Sequence, residues 1–156
     1  TTHVMPDVIS FSAAISACKK GAEFEQVTSL LEEMRIMSVT SDAASLNAAF
    51  STCEDGQQWQ RSFLLMNELR ASALEPTVIS FNSVISGCEK GGQWERALAV
   101  LDMMYAAATT PNAISFSAAI SACEKGKQWM EAFALLDQMH AEGVKPTVIS
   151  FNAAIS

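Results

Sequence analysis

Basic residues are scarce in this chain: 10 Lys and Arg stand against 17 Asp and Glu, a formal charge of −7 at pH 7. Sequence-independent affinity for nucleic acid comes mainly from lysine and arginine, so this balance argues against a general polyanion binder. Any phosphate contact would need a local basic stripe on an acidic body. Long apolar runs are missing too: clusters such as Met103 to Ala108 fall far short of the ~18 residues of a membrane span. The opening Thr1-Thr2-His3-Val4-Met5-Pro6 has no basic stretch followed by an apolar core, so no signal peptide is visible. Histidine is limited to His3 and His140, and the four cysteines form no Cys-x-x-Cys, which speaks against a zinc site. There is no nucleophile–base–orienter set, phosphate-cradling glycine loop or carboxylate dyad, so neither catalysis nor a cofactor is expected. What is plentiful is apolar residues, 49% of 156, which excludes wholesale disorder.

The chain repeats itself every 35 residues. Phe11, Leu46, Phe81, Phe116 and Phe151 hold one phase; Cys18, Cys53, Cys88 and Cys123 hold another; Phe24, Trp59, Trp94 and Trp129 a third. Pro6, Pro76, Pro111 and Pro146 keep step, with Ser41 standing in once, and Ser10, Ser45, Ser80, Ser115 and Ser150 never vary. Five landmarks in phase over four turns mark a repeat array. The expected organisation is a lead-in at 1–7, units at 8–42, 43–77, 78–112 and 113–147, and a partial unit at 148–156. Because Ser156 falls inside a first helix, the chain reads as part of a longer array.

Each unit reads as two helices. In the third, Ser80 is the expected N-cap before Phe81 to Lys90, Gly91-Gly92 supplies the turn, and a second helix runs from about Trp94 to Tyr105. Neither helix is long enough to be stable alone, so units must stack. The predicted fold is all-α, an α-solenoid of tandem 35-residue helix-turn-helix repeats. On the first helix, positions 4, 7, 8 and 11 of the unit fall on one face, here Phe81, Val84, Ile85 and Cys88, and form the core. Positions 5, 9 and 13 (Asn82, Ser86 and Lys90) fall opposite and are expected to form a solvated polar ridge. A lysine row, Lys20, Lys90 and Lys125, ends that ridge, broken by Asp55. The cysteines belong to the buried stripe; equivalent helices about 10 Å apart exceed the ~7 Å Cα limit for a disulfide. The tryptophans are likewise packing residues.

Thirty-five residues, two helices, a proline near the unit end, and the wording Thr77-Val78-Ile79-Ser80-Phe81-Asn82-Ser83-Val84-Ile85 resemble the pentatricopeptide repeat (PPR) family. The 34-residue tetratricopeptide unit has a Trp-x-x-Leu-Gly-x-x-Tyr helix that is absent here. The Ser-Phe-Asn/Ser-x-x-Ile-Ser-x-Cys-Glu-Lys-Gly phrasing is most similar to PPR proteins of unicellular algae. The resemblance implies a right-handed solenoid, location in a plastid or mitochondrion, and single-stranded RNA as partner, one base per repeat.

It also implies site residues. The base-reading pairs would be position 5 with the last residue of the unit: Ser12 with Asp42, Asn47 with Thr77, Asn82 with Asn112, and Ser117 with Thr147, with Asn152 opening the next pair. Position 2 would wedge between bases: Ile9, Ala44, Ile79, Ile114 and Ile149. Lys20, Lys90 and Lys125 would hold phosphate. Each position has a plainer alternative, since Asp, Thr and Asn all serve as N-caps and position 5 suits any solvated polar residue. In this family a small hydroxyl at position 5 goes with purines and Asn with pyrimidines. A terminal Asp accepts hydrogen bonds only, which suits G. The implied site is 5′-G-Y-Y-R-3′, with Ala44 and Asp55 making the second unit the weakest reader.

Two further functions compete with RNA binding. One is a PPR-like scaffold that holds protein partners in an organellar assembly, which the acidic charge and broken lysine row favour. The other is an artificial consensus array, against which the irregular Ala44, Leu46, Asp55 and Ser41 argue. Position 12, beside the lysine row, holds Lys19, Glu54, Glu89 and Glu124. Neutralisation of the lysines by those glutamates would strengthen the scaffold reading.

Overall fold

A computed structural model describes residues 7–19, 24–38, 43–53, 59–71 and 75–156. Among the described residues the chain forms nine α-helices and no strand: α1 (Val8–Lys19), α2 (Phe24–Ile36), α3 (Ala43–Thr52), α4 (Trp59–Ala71), α5 (Val78–Lys90), α6 (Trp94–Ala106), α7 (Ala113–Lys125), α8 (Trp129–Ala141) and α9 (Val148–Ile155). The odd-numbered helices begin 35 residues apart, and so do the even-numbered ones. Among the described residues each helix packs only on helices one or two places along the chain: α1 on α3, α5 on α7, α7 on α9, with the even helices filling behind. Contact restricted to near neighbours is the signature of a solenoid.

The first helices α1, α5, α7 and α9 start where a side chain makes a cap, one turn earlier than expected, whereas α6 and α8 start without a side-chain cap. Thr77, not Ser80, caps α5: its backbone is extended and its side-chain oxygen accepts the Ser80 N–H. Ser80 sits at the third helical position, and its hydroxyl accepts the Thr77 N–H in return. Asn112 with Ser115 and Thr147 with Ser150 repeat this reciprocal box on α7 and α9, and Asp7 accepts the Ser10 N–H at 2.9 Å on α1. The expectation failed because serine is both a good cap and a good third-position partner.

The core lies where the periodicity puts it. Phe81, Val84, Ile85 and Cys88 of α5 are buried against Ala97, Val100, Leu101 and Met104 of α6, and the same columns recur in α7 and α8. Cys53, Cys88 and Cys123 are buried free thiols, while Cys18 is only half-buried. Two tryptophans clamp successive units. A Cβ on Gly91 would sit 2.4 Å from Cδ1 of Trp59, and one on Gly126 would sit 2.3 Å from Cδ1 of Trp94. Glycine is therefore required at both turns by the approach of an indole rather than by its dihedral angles. Trp129 is exposed. The second helices reach one another through long side chains: Arg61 lies over Phe24, Arg96 over Trp59, and Gln138 donates to the Tyr105 hydroxyl. First helices in direct contact and second helices bridged by long side chains place the first helices on the inner side of the array.

Candidate nucleic-acid interface

The inner surface carries a column of exposed isoleucines. Ile9, Ile79, Ile114 and Ile149 are 76, 55, 65 and 64% exposed, each at the second position of an odd-numbered helix. Ala44 holds that position in α3, and its side chain lies outside what the structure describes. A branched aliphatic left open to water at one register point in four helices is not explained by packing.

Beneath these isoleucines lies a polar seam, and here the structure corrects the helical-wheel reading. Position 5 is not a solvated ridge: Ser12, Asn47 and Asn82 are half-buried and Ser117 is buried. Consecutive first helices press their flanks together, so Ser12, Asn82 and Ser117 each face the invariant serine of the next unit. Ser12 meets Ser45 across 2.5 Å, the Ser115 hydroxyl donates to Oδ1 of Asn82 at 2.5 Å, and Ser117 meets Ser150 at 2.8 Å. These serines were legible only as caps. Their invariance across five copies, where any capping residue would have served, is the signal for the inter-unit bond that Ser45, Ser115 and Ser150 carry.

Two of the expected reading pairs are brought together. Nδ2 of Asn82 donates to Oδ1 of Asn112 at 3.3 Å, and the hydroxyls of Ser117 and Thr147 lie 3.0 Å apart. Asn47 and Thr77 share no hydrogen bond among the described residues. Asp42 and Lys20 lie outside the described residues, so the first pair and the first phosphate lysine are not placed. Asn152 is exposed on α9. The amide of Asn112 has a fixed orientation, because Oδ1 accepts the N–H groups of Ile114 and Ser115, both at 3.1 Å, and only an oxygen can do so. Its amino group therefore points away from the cap.

Between α7 and α9 the surface opens into a cleft of about 340 Å³. Ile114 and Ile149 line it from α7 and α9, together with Ser117, Thr147, Ser121 and Glu89. Glu89, from the preceding first helix, holds Lys125 in an ion pair at 2.5 Å and accepts the Ser121 hydroxyl at 3.2 Å. The exposed Lys90 is the other described member of the expected lysine row. The cleft thus holds two exposed isoleucines and the hydroxyls of Ser117, Ser121 and Thr147, beside a carboxylate already paired with a lysine. Among the described residues no three His, Cys, Asp or Glu side chains gather where a metal could bind, and no helix is long and apolar enough to cross a membrane.

Comparison with known families matches residues 76–125 to the PPR repeat family, 120–156 to the pentatricopeptide repeat domain, and 9–39 to the PPR repeat. No curated protein matches the sequence significantly. Among solved structures, the fold is similar to the PPR domain of Arabidopsis thaliana protein-only RNase P 1 in complex with tRNA, at 16% identity and a TM-score of 0.82, covering 97% of this chain and 79% of that one. It is also similar to the pentatricopeptide repeat protein PPR10 in complex with an 18-nt psaJ RNA element, at 22% identity and a TM-score of 0.82, covering 99% of this chain but 23% of that one. Nuclear proteinaceous RNase P 2 from A. thaliana matches at 14% identity and a TM-score of 0.80, covering 94% of this chain and 34% of that one.

Proposed function

Since the chain belongs to the pentatricopeptide repeat family, we propose that it binds single-stranded RNA along its first-helix surface, one base per repeat. The observation that carries this is the cleft between Ile114 and Ile149, with the Ser117–Thr147 pair among its lining residues. A base stacked between two aliphatic walls gains dispersion and apolar burial whatever its identity, while the hydroxyl pair meets its edge. Affinity and specificity are thus divided between position 2 and the position-5 pair. Complexes of proteins of the same fold with tRNA and with an 18-nt RNA element support an RNA ligand.

The proposed site is 5′-G-Y-Y-R-3′, read by Ser12 with Asp42, Asn47 with Thr77, Asn82 with Asn112, and Ser117 with Thr147. The amino group of Asn112 faces away from its cap and offers donors, which suits the carbonyl oxygens of a pyrimidine. The role is that of a binder without chemistry of its own, acting on transcripts of a plastid or mitochondrion. With four readers and few lysines, binding is weak and its salt dependence shallow. Fluorescence anisotropy with single-stranded RNA carrying G-Y-Y-R, a scrambled RNA and the matching DNA, each at two salt concentrations, tests this. Preference for the first strand supports it, and no binding to any strand at low salt overturns it.

A second reading, a scaffold for protein partners, is favoured by one observation: Glu89 neutralises Lys125 on the surface that RNA phosphate would approach.

A further inference from the structure

The Glu89–Lys125 pair does more than tip the balance between two readings. Glu89 belongs to α5 and Lys125 to the last turn of α7, so the bond spans two repeats. The Glu89 side chain is only 16% exposed, and the same Oε1 that meets Lys125 also accepts the Ser121 hydroxyl. A carboxylate held by two partners and half-withdrawn from water is a better-organised counterion for Lys125 than a mobile salt ion. It also lines the cleft together with Ile114 and Ile149. The next residue in the same register, Glu124, is exposed.

We propose that Glu89 is a determinant of RNA affinity: it occupies Lys125 in the place a phosphate would take, so that the cleft between α7 and α9 engages a base without a phosphate contact. This rests on the RNA-binding reading above and adds a residue that the base-reading and wedging positions do not include. Neutral ribose and base edges can enter beside Glu89, whereas a phosphate must either break the ion pair or stay away. The fourth reader therefore contributes selectivity while adding little non-specific affinity, and Lys125 adds nothing to the salt dependence of binding while the pair holds.

The test is the salt dependence of anisotropy for full-length wild type, Glu89→Gln, Lys125→Ala and the double variant, with Glu124→Gln as a control for simple loss of negative charge. Releasing Lys125 adds one phosphate contact, which steepens the slope of log K against log salt by about 0.7 on a single strand. Between 50 and 200 mM salt that is an extra loss of about 2.6-fold for Glu89→Gln, with tighter binding at the low-salt end. Lys125→Ala should leave the wild-type slope unchanged and abolish the gain in the Glu89→Gln background. Glu124→Gln should leave the slope unchanged. Wild-type binding with no change of slope in Glu89→Gln, or a Lys125→Ala variant that by itself loses a full phosphate contact, overturns the role of Glu89 and leaves the RNA reading standing. No binding by wild type or by Glu89→Gln at low salt overturns both.

Discussion

Asn82 and Asn112 are 30 residues apart in sequence and share a hydrogen bond, Nδ2 of the first donating to Oδ1 of the second at 3.3 Å. The two amides form a short polarised chain: the Ser115 hydroxyl feeds Oδ1 of Asn82, and Asn112 spends its own oxygen on the backbone of α7. What is left for a ligand is donor capacity. Replacing the pair with Ser and Asp copies the pair proposed for the first repeat. Asn82→Ser with Asn112→Asp should move the third-base preference from pyrimidine to G. A discrimination change on the order of tenfold, about 1.4 kcal/mol, is expected in anisotropy with the two RNAs.

Asn112 has a second task, as N-cap of α7. Asn112→Ala should cost about 1 kcal/mol in denaturant unfolding, whereas Asn112→Asp should be nearly neutral because the carboxylate caps as well. If both variants were equally stable, the cap would be idle and the position free to vary for RNA alone.

Ile114 is 65% exposed, so removing its side chain deletes little packing. Ile114→Ala should leave unfolding within about 0.5 kcal/mol of wild type. It should weaken every RNA by a similar factor, preferred and scrambled strands alike. A loss confined to the preferred strand would contradict the division between wedge and reader.

The turn after α7 admits no side chain, because a Cβ at Gly126 would lie 2.3 Å from Cδ1 of Trp94. Gly126→Ala should destabilise by about 1–3 kcal/mol through overpacking. The same change at the exposed Gly92, where nothing lies within 4 Å of a Cβ but φ is +67°, should be felt as backbone strain instead. Shrinking Trp94 should relieve the first variant and not the second, which a thermal unfolding series would show.

Burial pushes the thiols of Cys88 and Cys123 up to about 11 from an ordinary 9.0. The folded state keeps these protons while the unfolded chain gives them up, so stability is present below pH 9 and declines as pH rises toward 11. The unfolding midpoint should fall over that window, and Cys88→Ala should flatten the decline. At pH 8 a thiol reagent should label both cysteines only after unfolding.

The repeat, the pairing of helices and the buried stripe could be read directly from spacing, because stacked identical units force identical burial at each register. The candidate pairs were nameable from family wording, but their physical setting was not. A wheel drawn for one helix places Asn82 and Ser117 opposite the core, which is correct for an isolated helix. It cannot show a second first helix closing over that flank. Nor could it show that Thr77, Asn112 and Thr147 are the caps and Ser80, Ser115 and Ser150 their partners, since the two serine roles lie within one turn.

The clearest division lies on α5 and α7. Phe81 and Ile85, and Phe116 and Ile120 at the same register points, are all fully buried, as their spacing prescribes. At position 5, where the wheel puts the open face, Asn82 is half-buried and Ser117 buried, because the next first helix covers that flank with Ser115 and Ser150. Sequence alone determined the helix, its register and its chemistry, because caps and periodicity act within a few residues. Which face is buried, which lysine finds a carboxylate and which way an amide points were decided by the neighbouring helix, because burial and ion pairing are properties of two surfaces rather than one.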